Sequence, residues 1–92
     1  MEQQDSAKAP AETLQVKFIR SELELGLTLV QLARAQRSNG NGDDANDAVA
    51  RAQLVLANVC HFLGLLRANA AIRSELKNKA EYLAFVIEEF SR

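Results

Sequence analysis

Between Asp44 and Leu66 the chain reads DANDAVARAQLVLANVCHFLGLL, and its apolar residues recur at alternating intervals of four and three. Ala45, Val49, Ala52, Leu56, Val59, Leu63 and Leu66 form one such row, which is the seam of a packed helix. A second row, Ala48, Ala52, Val55, Val59, Phe62 and Leu66, runs beside it, so the apolar arc is too wide for a single partner helix. This central helix needs neighbours on two sides, and the flanking sequence supplies one before it and one after it.

From Ala11 to about Arg37 there is neither proline nor a turn cluster. Val16, Ile19, Leu23, Gly26, Val30 and Ala33 make one helical stripe, and Leu14, Phe18, Leu25, Leu29 and Leu32 make its neighbour. Lys17, Arg20, Glu24, Thr28 and Gln31 gather on the opposite side, so the spacing predicts an amphipathic helix with a broad apolar face. Gly26 costs roughly 1 kcal/mol against Ala in such a helix, and its expected return is close approach by a neighbour. The segment SNGNGD, Ser38 to Asp43, is the break. Its two Asn-Gly pairs tolerate positive φ and let the chain reverse, and Asp43 or Asp44 is placed to cap the next helix.

A third helix is predicted over Ala70 to Ser91, capped by Asn69, with Ser74 as the alternative start. It would bury Ile72, Leu76, Ala80, Leu83, Val86 or Ile87, and Phe90. One rival exists, because the four-three rhythm runs on through Asn69 and Arg73 without interruption. A single helix from Asp44 to Ser91 would be about 70 Å long and could bury its seams only in an extended or swapped oligomer. The polar pair Asn69 and Arg73 at seam positions, with Gly64 nearby, favours a turn. The expected fold is therefore all-α, a three-helix antiparallel up-down-up bundle over residues 11–92, preceded by a disordered N-terminal tail over residues 1–10.

Composition narrows the function classes. Eleven Lys and Arg against twelve Asp and Glu give a net charge of −1, without the basic excess of a nucleic-acid binder. The single cysteine excludes an internal disulfide. The start of the chain, MEQQDSAKAP, lacks the apolar core of a signal peptide, and the unbroken apolar runs are short for a bilayer. These features set a cytoplasmic protein with neither a nucleic-acid nor a membrane partner as the expectation.

Catalytic and metal chemistry find little to build on. Cys60 and His61 are adjacent, so on a helix they diverge by about 100° and cannot act as nucleophile and base together. There is no second histidine or cysteine to complete a metal site, and Cys60 is expected to fill core volume. Asn39, Asn41 and Asp43 have the alternating spacing of a calcium loop, but Asp44 stands where glycine is needed and Ala50 where the bidentate glutamate is needed. No enzyme activity and no cofactor are expected.

Three features remain as candidate binding positions. Glu22 falls between Phe18, Leu25 and Leu29, near the middle of the first helix's apolar face. A lone carboxylate there needs a partner or an exit to solvent, and Lys79 on the third helix is the expected partner. On the central helix Leu54, Asn58, His61 and Leu65 form a stripe turned away from both seams. On the third helix Asn78, Tyr82, Phe85 and Glu89 form another. Exposed Leu, Tyr and Phe at helical spacing are enriched where partners dock.

The helical hairpin from Leu23 to Leu63, with small residues Ala33, Ala48 and Ala52 near its crossing, resembles a tetratricopeptide-type unit. With the following helix carrying NKAEYLAFVIEEF, Asn78 to Phe90, the chain also resembles the three-helix domains called MIT, microtubule-interacting and transport. A Tyr-Leu pair opens the third helix's seam in that family, and Tyr82 and Leu83 correspond; Ala84 and Val86 stand where Arg and Glu are usual. The resemblance is one of pattern. It implies a groove between first and third helices that receives an amphipathic helix, flanked here by Glu22 and Lys79. The function expected from the whole sequence is a small non-catalytic protein-interaction module, self-associating as a homodimer or docking a partner helix. The alternative from a different class is a small-molecule or metal-binding regulator using His61 and Glu22.

Overall fold

A computed structural model describes residues 10–92, with side chains from Leu14 onward. Three helices fill this span: α1 (Pro10–Ser38), α2 (Gly42–Leu65) and α3 (Ala70–Ser91). Apart from Pro10, which opens α1, the tail expected over residues 1–10 lies outside the described residues.

The two connections follow from side chains that stop one helix and start the next. After Ser38 the chain turns through Asn39, Gly40 and Asn41, and Gly40 takes φ of 82°, the left-handed conformation for which the Asn-Gly sequence was suited. The cap of α2 differs from expectation. Asn41 holds the N-cap position, and Asp43 and Asp44 lie inside the first turn, where their charge faces the positive helix end. Asn41 makes no side-chain cap bond; its amide instead donates to Gln36 Oε1 at 2.9 Å, tying the turn back to α1.

The rival of one long second helix is overturned at Leu66, which is extended at φ −70°, ψ 131°. Asn69 then caps α3 as expected, its Oδ1 accepting from the Ile72 N–H at 2.9 Å. Arg73 reaches back and donates to the Leu66 carbonyl, so the two polar residues that interrupted the seam are the pair that holds the turn.

Contacts fix the directions. Phe18 meets Phe62 and Gly26 meets Val55, so α1 and α2 run antiparallel. Arg20 meets Glu75, Gly26 meets Leu83 and Arg37 meets Phe90, so α1 and α3 run parallel. The topology is up-down-up, and all three helix pairs touch, α1 with α2 most extensively. The core contains Ile19, Leu23, Val30 and Ala33 of α1, the Ala45–Val59 seam positions of α2, and Leu76, Ala80, Leu83, Val86, Ile87 and Phe90 of α3. Ala33, Ala48 and Ala52 are buried where α1 and α2 pack, as their size requires for close approach.

Candidate functional site

The first stripe of α1 enters the core, but the second does not. Of Leu14, Phe18, Leu25, Leu29 and Leu32, only Leu29 is buried. The reason is geometric. A helix in a three-helix bundle turns one arc toward its two neighbours, and the arc of α1 spanned by Ile19, Leu23, Gly26 and Val30 already faces both α2 and α3. The second stripe falls past the α2 contact, on the side of the hairpin away from α3.

There it meets apolar residues of α2. The Phe18 and Phe62 rings stand edge to face with centroids 5.3 Å apart, and Leu14, Phe18, Phe62 and Leu65 line one open apolar cavity of about 370 Å³. Continuing along the spacings, Leu25 and Leu32 follow Phe18 by one and two heptads, and Leu54 precedes Phe62 by two turns. Leu14, Phe18, Leu25, Leu32, Leu54, Phe62 and Leu65 are each between 39% and 67% exposed. Leu14, Phe18, Phe62 and Leu65 thus line one end of the outer groove between α1 and α2, and helical spacing sets Leu25, Leu32 and Leu54 on the same side farther along.

Leu54, Asn58, His61 and Leu65 are all exposed on α2, and the His61 ring stands against Phe62 with centroids 5.5 Å apart. Sequence reasoning missed that the α1 stripe joins them. The available signal was the width of the apolar arc on α1, which exceeds what two neighbours can cover. Phe85 and Tyr82 are also exposed, Tyr82 on a different groove, the one between α1 and α3.

That α1–α3 groove is lined by Arg20, Leu23, Glu24, Leu27, Asn78, Lys79 and Tyr82. Lys79 belongs to it, whereas Glu22 does not. The expected Glu22–Lys79 pair gives way to a different cluster: Arg20 makes a bidentate pair with Glu75, and Lys79 Nζ lies 3.3 Å from the same carboxylate, one turn along α3. The Arg20 hydrogen bond holds the Glu75 carboxyl below its ordinary range, and Lys79 adds to the effect. Glu75 in turn raises the Arg20 guanidinium. Glu22 is half-buried, in the row of Phe18 and Leu25, and makes no ion pair among the described residues.

Cys60 corrects a second expectation. It is exposed, on a groove of about 680 Å³ between α2 and α3 whose walls include Cys60, Leu56, Leu63, Ala80 and Ala84, rimmed by Arg73, Lys77 and Glu81. Among the described residues no three His, Cys, Asp or Glu side chains are grouped to hold a metal.

By length and composition α2 is apolar enough to cross a membrane, which the short unbroken runs of the sequence did not suggest. A helix buried in a bundle core has the same length and composition. The composition does show that α2 carries more apolar residues than the core uses, and the surplus is Leu54, Phe62 and Leu65.

Comparison with protein families, curated proteins and solved structures found no match to this chain.

Proposed function

We propose that this protein is a small non-catalytic interaction module whose working surface is the outer groove between α1 and α2. The observation that carries this reading is the continuous row of seven large, part-exposed apolar side chains along that groove. Isolated apolar residues on a surface need no explanation, but the largest apolar patch on a monomeric protein is usually about 300–600 Å². Phe18 and Phe62 are of about 150–250 Å² each and the five leucines are somewhat smaller, so the seven, each roughly half exposed, present on the order of 700 Å².

The shape of the surface favours a helical occupant. Two antiparallel helices with an open seam between them offer the same ridges and grooves that already receive α3 on the other side. A helix laid there would place its own apolar row between Phe18 and Leu25 on one wall and Leu54 and Phe62 on the other. The α1–α3 groove, which the MIT resemblance would favour, has Arg20, Glu24 and Lys79 along it and less apolar surface on offer.

The test is photo-crosslinking in the native cell, with a photoreactive residue in place of Leu54 or of Phe85. The groove reading expects adducts from position 54 that disappear when Phe18→Glu is added, and few from position 85. Adducts from neither position, or equally from both, would contradict it.

A further inference from the structure

Near its middle the groove carries Glu22 on one wall and Arg51 on the other, and their placement identifies what fills it. On α1 the row runs Phe18, Glu22, Leu25, Leu29, Leu32, so Glu22 sits among apolar neighbours without an ion pair among the described residues. On α2 the row runs Asp47, Arg51, Leu54, Asn58, Phe62, Leu65, which places an exposed Arg51 on the same groove, with Asp47 one turn nearer its end. The levels follow from the contacts already described. Phe18 lies opposite Phe62 and Gly26 opposite Val55, so Leu25 and Leu54 share the middle level. Glu22 is about one turn to one side of that level and Arg51 about one turn to the other. Within one chain they are therefore about two turns apart, too far to pair.

From this arrangement we infer that the occupant of the α1–α2 groove is a second copy of the same chain, packed hairpin on hairpin as an antiparallel four-helix dimer with both α3 helices outside. A two-fold axis lying in the groove face, perpendicular to the helices and level with Leu25 and Leu54, exchanges the two sides of the middle level. It brings Glu22 of each copy to the level of Arg51 in the other. The same operation sets Leu32 against the Phe18 and Phe62 level, so the apolar row is complementary to itself. A two-fold parallel to the helices would leave Glu22 and Arg51 at different levels, and Glu22 would be desolvated without a partner.

The area agrees. The groove's roughly 700 Å² of exposed apolar surface is close to the ~800 Å² per partner of a standard interface. Interfaces of that size range in Kd from about micromolar to picomolar, so dimerisation belongs well within an accessible concentration range. This inference rests on the groove being the docking surface, and names its occupant.

Sedimentation equilibrium on the full chain, from nanomolar to about 100 μM, tests it with a charge-reversal cycle. The wild-type chain is expected to dimerise. Glu22→Arg and Arg51→Glu should each weaken the dimer about tenfold or more by bringing like charges to one level across the interface, and the double reversal should restore most of the affinity. Circular dichroism on each variant separates loss of pairing from loss of folding, and Arg51→Glu, at an exposed position, stands in for the cycle if Glu22→Arg disturbs the helix. A chain that stays monomeric throughout, or a dimer indifferent to Arg51→Glu, would overturn the inference, as would a double reversal weaker than either single change. Monomeric protein combined with position-54 adducts to a different polypeptide would overturn the self-pairing while leaving the docking groove intact. Monomeric protein with no adducts would remove both.

Discussion

Gly26 and Leu83 lie in such close contact that a Cβ atom on Gly26 would stand 2.6 Å from Leu83 Cδ2 and 3.2 Å from Cδ1. The same Cβ would be 3.3 Å from Val55 Cγ1, so this one glycine is where all three helices converge. Leu83 is fully buried, so it can make room only by turning within the packed core. Gly26→Ala would gain about 1 kcal/mol of helix propensity and lose about 1–3 kcal/mol to overpacking. The expected result is a net destabilisation of about 1 kcal/mol, read as a lower urea midpoint. A raised midpoint would mean that the helices are not packed this tightly at Gly26.

The two turns of the bundle offer a paired comparison of two asparagines. Asn69 satisfies the Ile72 N–H, whereas Asn41, at the equivalent position before α2, makes no cap bond. Asn69→Ala should therefore cost about 1 kcal/mol, and Asn41→Ala distinctly less, measured by denaturant unfolding. Equal effects would remove the structural distinction between the two caps.

The Arg20–Glu75–Lys79 cluster makes a prediction about acid. Arg20, and after it Lys79, holds the Glu75 carboxyl below its ordinary value, so the folded state favours the charged form. A depressed folded value contributes stability that is complete above the unfolded value of about 4.3 and is lost as pH falls from there through the folded value. Thermal unfolding of wild type and Glu75→Gln should differ at neutral pH, with the wild type the more stable, and the difference should close below about pH 4. The groups are part-exposed, so the difference is expected to shrink in high salt. A gap that widened on acidification would contradict the assignment.

Most of the fold could be read from spacing, because helix periodicity reports which residues share a face. The Ile19–Leu23–Gly26–Val30–Ala33 stripe, the α2 seams apart from the exposed Phe62, and the α3 row from Leu76 to Phe90 enter the core or pack against it as their intervals require. Asn69 and Arg73 also declared the turn they make. What spacing does not report is how much of a wide apolar arc its neighbours will cover. Leu14, Phe18, Leu25 and Leu32 look the same in sequence whether a helix lies on them or not. Cys60 shows the complementary error: a position at the edge of an arc is buried or open depending on how closely the next helix settles. Glu22 looked like half of an ion pair to α3 because a carboxylate within an apolar face needs a partner and Lys79 lies at the margin of the α3 arc, but its phase turns it toward the α2 side. Partner choice there depended on which side of α1 each helix occupies.

The most direct measurement is the alkylation rate of a thiol placed in the groove, followed as protein concentration rises. In a Cys60→Ser background, Leu54→Cys reports on the α1–α2 face and Phe85→Cys on the outer face of α3. If a second copy covers the groove, the position-54 thiol should become about tenfold or more slower to react between nanomolar and about 100 μM protein, while the position-85 thiol keeps its rate. A position-54 thiol that reacts equally fast at every concentration, or protection that falls on position 85 instead, would contradict the account.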